Sequence, residues 1–245
     1  MLLNDLGNAH NTEIVSAIEE AAAERGLSVV VSHGRRDPAL LEERLGSLVG
    51  LGLDGFIVVS AHTPPAALGA AVARAPTVVV ANPHRLPSGV SQVRNDDADG
   101  ARQAVEHLLA RGHTRIGFLA GSTSRTARER GAAYREVLAE RGLDPVTYVD
   151  EGFVVGADRP SAVFASNDRA AARLLGAAAD AGLRVPDDLA IVGYDDTELA
   201  RLLWPRLTTV AQPHAEMGRR AMEIMLSGCV EREVLRPTLV VRDSA

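Results

Sequence analysis

Two pairs of adjacent polar residues, Asn167-Asp168 and Asp195-Asp196, stand at the ends of short apolar runs, Ala162–Ala165 and Leu189–Val192. In an open parallel sheet the carboxyl ends of the strands face the crevice where ligands bind. The chain thus sets amide and carboxylate groups at the same rim twice in close succession. Each such side chain makes two directional hydrogen bonds, which suits sugar hydroxyls or the edge of a purine. The same residue types also cap helices. Both readings stand for Asn167 and Asp195, whereas Asp168 and Asp196 read as caps.

Other chemistries are poorly served. All 26 basic residues are arginine, so Schiff-base and phosphate-loop lysine chemistry is excluded. The one cysteine, Cys229, allows no internal disulfide and no cysteine-based zinc cage. The seven histidines lack metal-ligand spacing, and no G-x-S-x-G elbow offers a serine nucleophile. GLGLDG, from Gly50 to Gly55, fits the dinucleotide fingerprint, but a helix precedes it and a strand follows, the reverse of the required context. Asn95, Asp97, Asp99, Gly100 and Glu106 approach calcium-loop spacing, yet the chain upstream of Asn95 reads as a strand and 101–111 as continuous helix, where a calcium loop needs a helix on each side. An acidic N-cap and first turn explains them better. Gly121-Ser122-Thr123-Ser124 reads as a hydroxyl-rich binding loop without the rest of a phosphate loop. No metal, cofactor or enzymatic activity is expected.

A net charge of −6 argues against this chain gripping nucleic acid by itself, since that affinity comes from phosphate neutralisation. The first twenty residues hold Asp5, Glu13, Glu19 and Glu20 and no basic residue, unlike a signal peptide. No apolar run approaches the ~18 residues of a membrane span. A reducing, cytoplasmic location is compatible with the single cysteine.

The elements that must hold these residues alternate. Strand patterns at 1–3, 28–32, 55–59, 77–81, 115–120, 161–165 and 189–194 interleave with helical patterns at 12–25, 38–51, 66–75, 97–111, 127–141 and 169–181. This is a series of βα units around parallel sheet. Glycine closes helix after helix, as at Gly26 and Gly112, where a left-handed residue costs no Cβ strain. The series restarts near Asp96-Asp97, after a strand-like 90–94. Pro205 and Pro213 mark a second crossing, His214–Ser227 reads as a helix returned to the first lobe, and 238–241 as a closing strand in the second. The expected lobes are residues 1–96 with 212–236, and 97–211 with 237–245. Only six residues, 154–159, separate Phe153 from Pro160, short of the dozen a parallel crossover needs. Residues dropped from the chain explain this better than a lost helix.

The run from Ala162 to Leu226, with its Asn-Asp strand end, its Val-Gly-Tyr-Asp-Asp and its Leu207-Thr208-Thr209…Gln212 crossover, resembles the effector-binding core of LacI/GalR-family transcription regulators. The resemblance spans essentially the whole chain. It implies an α/β fold of two doubly wound parallel-sheet lobes joined by crossover strands, the periplasmic-binding-protein-like type I arrangement. It also implies a homodimer that binds a small polar effector, sugar-like or purine-like, between lobes. Operator DNA would be read only by a helix-turn-helix preceding residue 1. By position, the family assigns effector contacts to Arg130 and Thr126 at a helix start, to Asn167 and Asp195, and to Gln212. From the first lobe it assigns Asn4, Asp5, Ser60, Asn82 and Asn95. A guanidinium is a planar donor fork that clamps a carboxylate or two hydroxyls. Arg128 reads as a solvated-face residue, and Gln212 suits a hinge as well as a ligand. Ala133 stands where the family has glycine, and the first loop lacks the family's stacking aromatic. Trp204 suits the dimer surface better than a pocket floor. The same fold also serves sugar-binding proteins of periplasmic transport systems, the alternative function.

Overall fold

The structure, a computed structural model, describes residues 1–245 apart from Thr123 and Ala157; the side chains of Gly152 and Phe153 also lie outside the description. The hydroxyl-rich turn 121–124 and the short connection 154–159 each contain one residue outside the described set.

In chain order the first elements are β1 (Leu2–Leu3), α1 (Ala9–Ala23), β2 (Ser32–His33), α2 (Pro38–Gly50), β3 (Phe56–Val59), α3 (Pro65–Val72), β4 (Thr77–Val80) and β5 (Ser91–Asn95). Next come α4 (Asp97–Ala110), β6 (Ile116–Leu119), α5 (Arg125–Glu140), β7 (Val146–Tyr148), α6 (Glu151–Val154) and β8 (Ala162–Ala165). The series continues with α7 (Asp168–Asp180), β9 (Ala190–Asp195), α8 (Glu198–Leu202) and β10 (Thr208–Ala211), and closes with α9 (His214–Ser227), β11 (Arg232–Leu235) and β12 (Thr238–Val240). The chain divides into two compact units, Met1–Asn95 with Pro213–Leu235 and Asp96–Gln212 with Arg236–Ala245.

The first unit is a parallel sheet in the order β11-β5-β4-β3-β1-β2. Alternation of side chains along each strand feeds two cores. Leu3, Ile57, Val59, Val78 and Val80 pack with α1 and α9 on one face. Leu2, Phe56, Val58 and Val79 pack with α2 and α3 on the other. Strands buried on both faces explain the unbroken apolar runs FIVV and TVVV. The second unit repeats the plan in the order β12-β10-β9-β8-β6-β7, with β12 antiparallel to β10. Ile116, Phe118, Phe164 and Val192 face α4 and α5, while Leu119, Val163, Ala165 and Ile191 face α7. The fold is α/β with two mostly parallel, doubly wound sheets.

Helix boundaries follow local chemistry. Asp37 caps α2 with Pro38 as its first residue, Asp96 caps α4, Ser124 caps α5 and Asn167 caps α7. Gly26 and Gly112 leave their helices at φ 67° and 89°. The strand expected at 28–32 pairs only at Ser32–His33. It is an edge strand beside a two-residue β1, and Val30 and Val31 stay exposed. β7 and β11 escape the strand pattern: β11 reads Arg-Glu-Val-Leu, charged and half exposed, because it too lies at a sheet edge. The connection from β7 to β8, which flank β6 as parallel neighbours, begins after Tyr148 and includes the one-turn α6.

α1 and α9 approach closely because Gly218 has no side chain. A Cβ there would lie 2.6 Å from the Ala17 Cβ and 2.9 Å from the Ile14 carbonyl oxygen. Gly218→Ala is expected to destabilise the protein by ~1–3 kcal/mol through overpacking. Gly46→Ala, in α2 with nothing within 4 Å of the new methyl, is expected to stabilise it by about 0.5–1 kcal/mol. Urea unfolding of both variants checks this; midpoints moving in the same direction would contradict the packing.

Candidate functional site

The second unit gathers charge at the carboxyl ends of β8, β9 and β10. Arg130 projects from the second turn of α5 and is buried. Its Nε donates to the Asp97 Oδ1 at 2.8 Å, and its second terminal nitrogen lies 2.7 Å from the same oxygen. Its other terminal nitrogen donates to the Ser166 carbonyl at 2.6 Å and lies 3.5 Å from the Asp195 Oδ1. The guanidinium carbon also sits 3.5 Å from the centre of the Tyr194 ring, a cation–π contact. Burial alone would lower the arginine pKa. The charge on Asp97 first, then Tyr194 and Asp195, outweighs it, and the pKa lies above its ordinary value.

Asp195 ends β9 and accepts from the Gln212 Nε2 at 2.7 Å. Its φ is 112° and that of Asp196 is 52°, both in left-handed space, where a non-glycine residue costs about 1–3 kcal/mol. Asp196 pairs with Arg242 at 2.6 Å. Asp168 is buried: its Oδ2 accepts from the Thr197 backbone N–H at 2.8 Å and the Thr197 hydroxyl at 3.0 Å, while its Oδ1 accepts from the Thr209 hydroxyl at 2.5 Å. Burial, and then the neighbouring Asp195 charge, push its pKa up to about 7. The reading of Asp168 and Asp196 as caps is corrected here. Asn167 and Thr197 hold the N-cap positions of α7 and α8, and the two aspartates bind side chains from elsewhere in the unit. The Asn167 Oδ1 accepts from the Ala170 N–H at 2.8 Å, so its capping role is real. Thr126 lies four residues before Arg130 on α5, its hydroxyl 3.0 Å from that of Ser124, and Arg128 is exposed. Asp97 faces Arg130, and Asp99 faces Arg236 and Gln103, so the calcium-like spacing is occupied by cationic and amide partners.

In the first unit, Asn4, Ser60 and Asn82 follow the adjacent strands β1, β3 and β4. The Asn4 Oδ1 is buried with no hydrogen-bond partner among the described residues, and Ser60 accepts from the His62 N–H at 3.1 Å. Asp5 is engaged by Arg36 at 2.6 Å and by the Gly7 N–H, the main cause of a carboxyl pKa below its ordinary value. Asn95 is buried at the end of β5. A chain of contacts absent from the sequence reading joins Glu13 to His214 at 2.6 Å and His214 to His10 at 2.8 Å. The structure thus brings Arg130, Asp195 and Gln212 into one network, with Asn167 and Thr126 on neighbouring elements. It adds Asp97, Tyr194, the Ser166 carbonyl and Asp168, which the sequence reading missed. Trp204 is 87% exposed and Leu202 73%.

A profile for the periplasmic binding protein-like domain matches residues 105–245. The chain is similar to the ribose operon repressor of Escherichia coli strain K12, 31% identical over 274 positions, covering all of this chain and 81% of the repressor. It is also similar to a LacI transcriptional regulator from a Rhodococcus species, with a TM-score of 0.89 and 30% identity, covering 100% of this chain and 97% of the other. A third similarity is to the transcriptional regulator CelR in complex with cellobiose, with a TM-score of 0.84 and 29% identity over 100% of this chain and 83% of CelR.

The shifted carboxyl yields a signed prediction. Between the ordinary aspartate value of 3.8 and about 7, the folded protein holds a proton on Asp168 that the unfolded chain has released. The stability this group contributes is therefore full below the ordinary value and lost as pH rises through about 7. Measured against Asp168→Asn, the unfolding free energy of the wild type is expected to fall across that window and flatten above it. Parallel pH profiles would contradict the shift.

Proposed function

The chain belongs to the LacI-type family of transcriptional regulators, as an effector-sensing core of periplasmic-binding-protein-like fold, and we propose that Arg130, Asp195, Gln212 and Asn167 hold its effector. The relatives are transcriptional repressors and regulators, not enzymes, and they favour the regulator reading over a transport component. One relative is a ribose operon repressor and a similar structure holds cellobiose, which supports a sugar as the effector, with a purine-like molecule as the other member of the class. The observation that carries the reading is the buried guanidinium beside a partly exposed carboxylate, itself steadied by Gln212. A polyol can accept from the one and donate to the other, so its hydroxyls are read twice. Thr126, and Asn4, Asp5, Ser60, Asn82 and Asn95 of the first unit, are proposed as further effector contacts on the same chemical grounds.

The partners proposed are a second copy of the chain and operator DNA. Leu202 and Trp204 present large apolar side chains to solvent, the signature of an interaction surface, and closed two-fold pairing is the commonest assembly. DNA contact is assigned to a helix-turn-helix N-terminal to this core. The proposed location is the cytoplasm. Among the described residues no helix is long and apolar enough to cross a membrane.

Calorimetry with D-ribose, cellobiose and hypoxanthine tests the site. Arg130→Ala and Asp195→Ala are each expected to weaken binding at least ~10-fold, about 1.4 kcal/mol, and Arg128→Ala to leave it near wild type. Equal losses at Arg128 and Arg130, or none at Asp195, would contradict the assignment. For assembly, sedimentation at micromolar concentration should give twice the 25.9 kDa chain mass, reduced to one chain by Trp204→Arg. A wild-type species of single-chain mass would count against the dimer.

A further inference from the structure

Asp168 is a buried carboxylate that effector binding leaves without a task, and helix capping does not use it, since Asn167 caps α7. Its three hydrogen-bond donors come from two other elements, the turn after β9 and strand β10. Thr197, which supplies two of them, lies two residues beyond Asp195, across the two left-handed residues of the turn. Thr209 supplies the third from β10, where it pairs in register with Gly193, two residues before Asp195. Asp168 therefore fastens the chain on both sides of Asp195. Gly193 is bare to admit it: a Cβ there would lie 2.6 Å from the Asp168 Oδ1. Two residues before Asp168, the Ser166 carbonyl holds Arg130 at 2.6 Å. One three-residue segment thus grips the guanidinium at one end and the turn carrying its carboxylate neighbour at the other.

We propose that Asp168 is a positioning residue for Asp195. By fastening Thr197 and Thr209 it holds the strained Asp195-Asp196 turn, and with it the carboxylate that meets Gln212 and Arg130. Left-handed non-glycine residues persist only where their surroundings over-determine them, and Asp168 supplies that constraint together with the Asp196–Arg242 pair. The consequence for ligand affinity rests on the effector reading above; the positioning does not.

The test is nuclear magnetic resonance of the full chain without effector. The Arg130 Nε–H and Gln212 side-chain amide signals report where Asp195 stands. In Asp168→Ala both are expected to move, and exchange of the Thr197 amide to quicken at least ~10-fold, about 1.4 kcal/mol of lost protection. Asp168→Asn keeps an acceptor for the Thr197 N–H and a hydrogen-bonding amide for the threonine hydroxyls, so it is expected to restore all three signals. Arg173→Ala, on the exposed side of α7, should leave them unchanged. Should Asp168→Ala not fold, Thr197→Val combined with Thr209→Val removes the hydroxyl donors from the other side and is expected to move the same signals. Wild-type positions for Arg130 and Gln212 in folded Asp168→Ala, or in the double valine variant, would overturn the proposal. Failure of the effector reading would be seen separately, as D-ribose affinity unchanged in Arg130→Ala.

Discussion

One buried positive charge organises the second unit's rim. Taking a guanidinium out of water costs several kcal/mol, and the cost is offset only if its donors are met and a counter-charge is close. Arg130 meets these demands with the Asp97 carboxylate, the Ser166 carbonyl, the face of Tyr194 and the more distant Asp195. The partners come from three parts of the unit: the first turn of α4, the end of β8 and, for Tyr194 and Asp195, the end of β9. The position of the charge therefore depends on correct helix starts and strand register, and they in turn are fixed by it. The neighbouring bare glycines fit the same constraint. Gly131, the residue after Arg130, has no room for a methyl beside the Phe118 ring, and Gly100, one turn after Asp97, has none beside the Tyr194 hydroxyl.

Charge balance explains what stands around it. One cation faces Asp97 and Asp195, and Asp168 is buried close by. Burial first, and then the Asp195 charge, disfavour a third ionised carboxylate there, so Asp168 keeps its proton to unusually high pH and works through hydroxyls and a backbone N–H. Asp195 then remains the partly exposed member of the set, with one oxygen already committed to Gln212 and Arg130. Its directional capacity fits polyhydroxylated ligands. The first unit is built differently. Its strand ends offer amides and a hydroxyl, Asn4, Ser60 and Asn82, while the charge on Asp5 is spent on Arg36.

Much of the fold was legible from periodicity, because strands buried on both faces make continuous apolar runs and their helices close on glycine. Helix α9 is bounded as the pattern predicts, His214–Ser227. Edge strands were legible only in part: β12 lies where a closing strand is expected, β2 is shorter than its pattern, and β7 and β11 left none. β2 and β11 have a single neighbour, so burial leaves no apolar signature, and β11 follows two charged residues with an exposed valine and a buried leucine. At the site, the polar strand ends and Arg130 were visible as residue types in a recognisable order. Asp97 was hidden because an aspartate in a helix's first turn is already explained by the helix dipole. Asp168 was hidden for a similar reason: next to a capping asparagine it looks like a second cap, and its threonine partners lie 29 and 41 residues away. Long-range satisfaction of a buried polar group leaves no local pattern.

The mutual dependence of Arg130 and Asp97 is best measured by a double-mutant cycle in urea unfolding. Arg130→Met and Asp97→Leu each strand a buried charge and should each cost ~3–5 kcal/mol. The double variant removes both charges, so it is expected to be more stable than the sum of the single losses implies by at least ~1 kcal/mol. Additive losses would show that the two residues do not share the interaction on which this arrangement rests.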